Sequence, residues 1–279
     1  MGPLLEVAAL DARVKAGQRT VLLDVRWKLG DPRGREHYLE GHLPGAVFVD
    51  LATELAAPAQ PERGRHPLPT AEQFQASARR WGICEGDIVV AYDDTGNLAA
   101  ARLWWMLRNA GFPDVYLLDG GLAAWRGAGL PVQRGDVEAM PGNVTLRDGA
   151  MPAIDAATAG NWARTGILLD ARAGERYRGD FEPVDPRAGH IPGAVSAPTT
   201  ENVDASGHFL PADELRRRFN TLGISGDAPV AVYCGSGVTA AHEVAALEIA
   251  GIAAALYPGS FSEWSNNPAL PVVTGSEPR

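Results

Sequence analysis

The sequence predicts an α/β protein built from two tandem copies of one domain, each a mainly parallel sheet with helices on both faces. Three observations carry this expectation. The chain repeats itself, in order, at a nearly constant offset. Each copy holds short, continuously apolar runs of the kind that strands buried on both faces require. Helical patterns alternate with those runs, the order that builds a parallel sheet.

Leu22-Leu-Asp-Val-Arg26 returns as Leu168-Leu-Asp-Ala-Arg172, and Gly41-His-Leu-Pro-Gly-Ala46 as Gly189-His-Ile-Pro-Gly-Ala194. Val89-Val-Ala-Tyr-Asp-Asp-Thr-Gly96 returns as Val230-Ala-Val-Tyr-Cys-Gly-Ser-Gly237. Gly120-Gly-Leu-Ala-Ala-Trp125 matches Gly259-Ser-Phe-Ser-Glu-Trp264, and Gly129-Leu-Pro-Val132 matches Ala269-Leu-Pro-Val272. The offsets are 146, 148, 141, 139 and 140. A period this long means a duplicated domain, not a solenoid. The expected domains are residues 1–134 and 153–279. Residues 135–152, rich in Gly, Pro and Met and weak in periodicity, are the expected linker.

In the first copy the runs 21–25, 88–92 and 115–118 read as strands. Helices are expected over 71–81, capped by Thr70, and over 98–110. In the second copy the strands are 167–171, 230–233 and, more weakly, 254–256. The helices there are 210–222 and 238–250. Ligands of such sheets bind beyond the carboxyl ends of the strands.

At 279 residues and 46% apolar, each half can bury a core. A net charge of -9 excludes a nucleic-acid or anionic-membrane partner and means that local arginines must attract any anionic substrate. No run spans a bilayer, and the N-terminus lacks the basic start of a signal peptide. The two cysteines, Cys84 and Cys234, provide neither a disulfide framework nor a zinc site, and no metal or organic cofactor is implied. A cytoplasmic location is expected.

A buried strand ends in Tyr233, and Cys234 opens a loop, Cys234-Gly-Ser-Gly-Val-Thr239, that leads into a helix. Gly235 and Gly237 permit left-handed backbone and close approach to a ligand. Amides of Gly235, Gly237, Val238 and Thr239 can then point inward as an anion nest, backed by the helix terminus. A free thiol is only a few per cent ionised at neutral pH, and this surrounding favours the anion. A buried structural cysteine is the alternative. The repeat argues against it, because Asp93 occupies the matching position and a core site does not exchange Cys for a charge. Cys234 is therefore read as a nucleophile and Cys84, which lacks a glycine nest, as structural.

With these residues assembled, the chain resembles tandem-domain sulfurtransferases of the rhodanese family. Cys234-Gly-Ser-Gly-Val-Thr-Ala240 is similar to the loop of the members that use 3-mercaptopyruvate, whereas thiosulfate-using members more often carry basic residues after the cysteine. The resemblance also takes in both Gly-His-x-Pro-Gly-Ala turns and Arg102-Leu-Trp-Trp-Met-Leu-Arg108. It implies a persulfide at Cys234, formed from a small anionic sulfur donor. A thiophilic acceptor then discharges it: cyanide, a thiol or a thioredoxin-like protein. It further implies Arg176 and Arg187 as donor-binding cations, with Arg178 a further candidate. Ser236 and His66 match members of a proton relay whose acid position is Ala52 here, with Asp50 and Glu54 nearby.

Several residues read as structural. His42 and His190 occur in both copies and are expected to fix their turns. Asp24 and Asp170 read as loop anchors, Trp104 and Trp105 as packing, and residues 216–218 as an exposed arginine face. His242 is two helical turns from Cys234 and is an unlikely base. A cysteine phosphatase would need an arginine six residues after the cysteine, where Ala240 stands. A non-catalytic binding module is the other alternative, suggested by Asp93.

Overall fold

A computed structural model describes residues 2–226 and 228–278. The first half runs β1 (Leu4–Leu5), α1 (Val7–Lys15), β2 (Thr20–Asp24), α2 (Gly34–Glu40), β3 (Val47–Phe48), α3 (Leu51–Glu54), α4 (Ala71–Arg80), β4 (Ile88–Tyr92), α5 (Ala100–Asn109), β5 (Val115–Leu118) and α6 (Gly121–Gly127). The second half runs α7 (Ala156–Trp162), β6 (Ile167–Asp170), α8 (Gly174–Arg178), β7 (Ala194–Ser196), a 3-10 turn (Thr199–Asn202), α9 (Ala212–Thr221), β8 (Val230–Tyr233), α10 (Thr239–Ile249), β9 (Ala254–Leu256) and α11 (Ser260–Trp264).

The first sheet has the order β1-β5-β4-β2-β3 and the second β7-β6-β8-β9, with every pairing parallel. β5, β8 and β9 are buried along their whole length, so both faces of the sheets are covered. Equivalent residues pair in the two sheets: Asp24 lies opposite Tyr92, and Asp170 opposite Tyr233. A parallel bridge from Ala153 to Leu256 extends the β9 edge, as β1 extends the first sheet at β5.

Local chemistry sets the helix ends. Thr70 caps α4 by accepting from the Gln73 amide at 3.3 Å, and the Gln73 side chain answers the Thr70 amide at 3.0 Å. α10 is buried from Ala240 to Leu247, so it is apolar nearly all round. The two polar residues of that buried stretch are satisfied inside: His242 Nδ1 lies 2.7 Å from Thr199 Oγ1, and Glu243 accepts from Asn202 at 2.6 Å. Trp104 and Trp105 are fully buried on α5.

The chain divides into two compact units that are not the two contiguous halves. The first takes residues up to Ala57, Pro69–Met151 and Val203–Phe209; the second takes Pro58–Leu68, Pro152–Asn202 and Leu210 onward. Phe209 belongs to the first because its amide donates to Asp119 Oδ1 at 2.9 Å. The expected linker also changes character. Up to Met151 it is strapped to the first unit, with Val144 and Leu146 buried. The amides of Gly142, Val144, Arg147 and Ala150 donate to the carbonyls of Arg79, Ile83, Ala110 and Asn109. The arginine face is corrected at Arg218, which is only 13% exposed and reaches Glu243, Glu201 and the Pro198 carbonyl.

Candidate active site

In the second unit, β8 delivers the chain to the carboxyl edge of the sheet at Tyr233. The hydroxyl of Tyr233 accepts from the Ile191 amide at 3.2 Å, tying the strand to the Gly-His-Ile-Pro turn. His190 is stacked on Tyr177 and its Nδ1 lies 2.8 Å from the Tyr177 carbonyl, so it fixes that turn. Asp170 and Arg172 form a buried bidentate pair, and Arg172 also donates to the Gly189 carbonyl at 2.7 Å.

Cys234 is buried at the start of the loop. The first turn of α11 clamps it. Its amide donates to Ser260 Oγ at 3.1 Å, and its carbonyl accepts from the Phe261 amide at 3.0 Å. The next carbonyl, of Gly235, accepts from the Ser262 amide at 2.8 Å. The amide of Gly237 donates to the Cys234 sulfur at 3.2 Å, and the φ of +76° at Gly237, open to glycine, turns the chain onward into α10. Val238 and Thr239 then start α10. The sulfur therefore faces a backbone donor just ahead of the N-terminus of α10.

Ser236 Oγ lies 2.8 Å from His66 Nδ1, so the pair named from the resemblance is in hydrogen-bond contact. His66 arrives on the Pro58–Leu68 segment, which is anchored by the Arg65 amide donating to Ser262 Oγ at 3.1 Å. The two carboxylates close to Ala52 in sequence belong to the first unit and are engaged there. Asp50 caps α3, and Glu54 accepts from the Asp50 amide, Arg80 and Trp81 Nε1.

Arg176 lies against the loop. Its Nη1 is 3.4 Å from where a Cβ on Gly235 would stand, and Arg65 Nη2 is 3.0 Å from that same point. Two acids hold these cations. Glu182 takes Arg176 Nε at 3.0 Å and Nη2 at 2.7 Å, and Asp185 takes Arg176 Nη2 at 2.8 Å and Arg65 Nη1. Burial pushes the Asp185 carboxyl up, against the Arg65 charge that lowers it. Burial also works on Glu182, but its hydrogen bonds with Arg176 and backbone amides hold it below the usual range.

Arg187 does not join them. Its guanidinium donates to four main-chain carbonyls, of Trp264, Ser265, Asn267 and Leu270, at 2.7–2.9 Å. Those carbonyls lie at and beyond the end of α11, so Arg187 is a structural clamp and the donor-binding expectation is corrected. Arg178 is tied instead to Asp180 at 2.7 Å in an exposed pair. Arg65, Glu182, Asp185 and Ser260 were not among the expected site residues. The one signal for Arg65 was its place directly before His66.

The first unit has the same strand–loop–helix at Asp93. There Oδ1 accepts from the amides of Thr95 and Asn97, both at 2.8 Å, and Oδ2 from those of Ala99 and Ala100, at 2.8 and 3.1 Å. A buried carboxylate fills that nest, which corrects the expectation that a buried site does not exchange Cys for Asp: both residues are buried, and four amides compensate the carboxylate.

Comparison with known proteins agrees with the duplication. The model of the rhodanese-like domain matches residues 6–128 and again 154–267. SseB of Mycobacterium tuberculosis, named as a candidate thiosulfate sulfurtransferase, is 47% identical over 278 residues, covering 98% of this chain and 97% of that protein. A Pseudomonas aeruginosa protein named as a candidate 3-mercaptopyruvate sulfurtransferase is 46% identical over 280 residues, covering 98% of each. The crystal structure of SseA from Escherichia coli, from work on 3-mercaptopyruvate sulfotransferases, superimposes with a TM-score of 0.83 at 31% identity, covering 94% of this chain and 99% of that one. With both copies matched and relatives aligned end to end, the chain belongs to the rhodanese family.

Proposed function

We propose that the protein is a sulfurtransferase that carries sulfur on Cys234, with 3-mercaptopyruvate the favoured donor. The carrying observation is the loop itself: the Cys234 sulfur takes an amide donor from Gly237 at 3.2 Å, and the guanidinium of Arg176 lies against the next residue, Gly235. The thiolate attacks the donor sulfur and the carbon–sulfur bond breaks. The electron pair goes to the carbon as the enolate of pyruvate, and the proton of the donor thiol ends on that carbon. Ser236, hydrogen-bonded to His66, passes this proton in the proposed step. The product, Cys–S–S⁻, carries its charge on the outer sulfur, where inward amides stabilise it. An acceptor thiolate or cyanide then takes that sulfur and restores the cysteine. The acceptor is a thiol or a thioredoxin-like protein.

A second reading, with thiosulfate as donor, is favoured by one observation. The loop carries no basic side chain, yet two guanidinium groups cover Gly235. Sulfite would then be the leaving group and no proton need move. Two free cysteines suit a reducing, cytoplasmic setting. No described helix is long and apolar enough to cross a membrane.

The test is to treat reduced protein with each donor and weigh it intact, with Cys234→Ser as control. One added sulfur atom in the wild type and none in the variant is the expected result. Equal loading of the variant overturns the assignment.

A further inference from the structure

We propose that Arg65 is the second donor-binding cation of this site, in the role the resemblance assigned to Arg187. The inference rests on the sulfurtransferase reading and identifies how its donor's anionic end is held.

The argument follows from the free donors. Arg176 has Nε and Nη2 occupied by Glu182 and Asp185, which leaves Nη1. Arg65 has Nη1 occupied by Asp185, which leaves Nη2 and Nε. Among the described residues, Arg65 Nε is buried with no hydrogen-bond partner. The two open ends, Arg176 Nη1 and Arg65 Nη2, converge on Gly235, the residue after the nucleophile. Asp185, with a fully buried side chain, bridges the two guanidinium groups and sets their spacing. Arg65 remains 25% exposed and Arg176 14%, so a small anion can reach both.

The backbone at residue 65 is placed without this guanidinium, whose Nη1 serves Asp185. The Arg65 backbone is already held by Ser262, and Gly64, at φ +83°, packs where a Cβ would meet Ser262 Oγ at 2.6 Å. Gly235 complements Arg65: any side chain there would enter the space its Nη2 occupies. A glycine at 235 and a cation brought in at 65 together replace a basic side chain on the loop. Paired guanidinium donors suit a carboxylate, or the oxygens of a thiosulfate dianion.

The test compares wild type, Arg65→Gln and Arg65→Lys with 3-mercaptopyruvate and with thiosulfate, following transfer to cyanide and the intact mass at saturating donor. Loss of charge-assisted hydrogen bonds predicts a rise in donor KM of roughly 10- to 100-fold in Arg65→Gln. The rise should be larger for thiosulfate, with kcat changed only a few-fold and Arg65→Lys recovering part of the loss. Unchanged KM for both donors in Arg65→Gln, or a loss confined to kcat, overturns the role. Should Arg65→Gln not fold, the same KM criterion applies to Arg65→Lys, where full wild-type KM for both donors refutes a paired-guanidinium clamp. Failure of the wild type to load sulfur would refute the function itself, a separate outcome.

Discussion

The two strand–loop–helix segments differ in what fills the nest. In the first, the Asp93 carboxylate takes four amides of its own loop and is fully buried. In the second, Cys234 presents a smaller group to the Gly237 amide, and its loop is shorter. Five residues, 234–238, separate β8 from α10, against seven, 93–99, between β4 and α5. One architecture thus turns backbone amides inward in both copies. The first fills its nest with an internal carboxylic group and is structural; the second, on the proposed function, keeps the Gly237 amide for the charge of the transferred sulfur.

The largest expected effect breaks the first loop. Asp93→Ala leaves four buried amides without an acceptor, each worth ~1–3 kcal/mol, so the first unit should lose about 4 kcal/mol or more. Urea unfolding measures this. A loss under about 1 kcal/mol would mean the carboxylate does not support its loop. The next effect sharpens the second loop. Ser236→Ala should slow transfer from 3-mercaptopyruvate roughly 100-fold, the scale of proton catalysis, and leave thiosulfate nearly untouched. Equal losses with both donors would remove Ser236 and His66 from proton transfer.

The smallest effect is on pH dependence. Burial raises the Asp93 pKa, opposed by its four amides. The folded protein then binds that proton more tightly than the unfolded chain does. This contribution to stability is present at low pH and is lost as pH rises from the ordinary aspartate range through the raised folded value. Asp93→Asn should remove that slope, read as the difference between wild-type and variant stability across acidic pH. A difference that does not change with pH would contradict it.

Much of this was legible in the residues. The apolar runs at 88–92, 115–118 and 230–233 became β4, β5 and β8 with the expected ends, because strands buried on both faces cannot carry polar interruptions. Thr70 announced α4 through its cap. The shorter β1, β3 and β7 escaped, since two or three residues have no periodicity to read. At the site, Cys234 and its glycines were legible because they are contiguous. Arg65 was not, because it reaches Gly235 from a segment far away in sequence. Arg187 misled for the converse reason: nearness to a motif says nothing of where a long side chain turns, and it turns to four carbonyls. The strap up to Met151 read as a linker because it holds itself by backbone bonds that composition does not reveal.

The most direct test of the contrast between the loops is a crystal structure of the protein loaded with sulfur from its donor. The account predicts one extra sulfur on Cys234, within hydrogen-bond distance of the backbone amides of residues 236–239, with the Asp93 nest unchanged and Cys84 unmodified. Sulfur on Cys84, or an outer sulfur on Cys234 directed away from those amides, would contradict it.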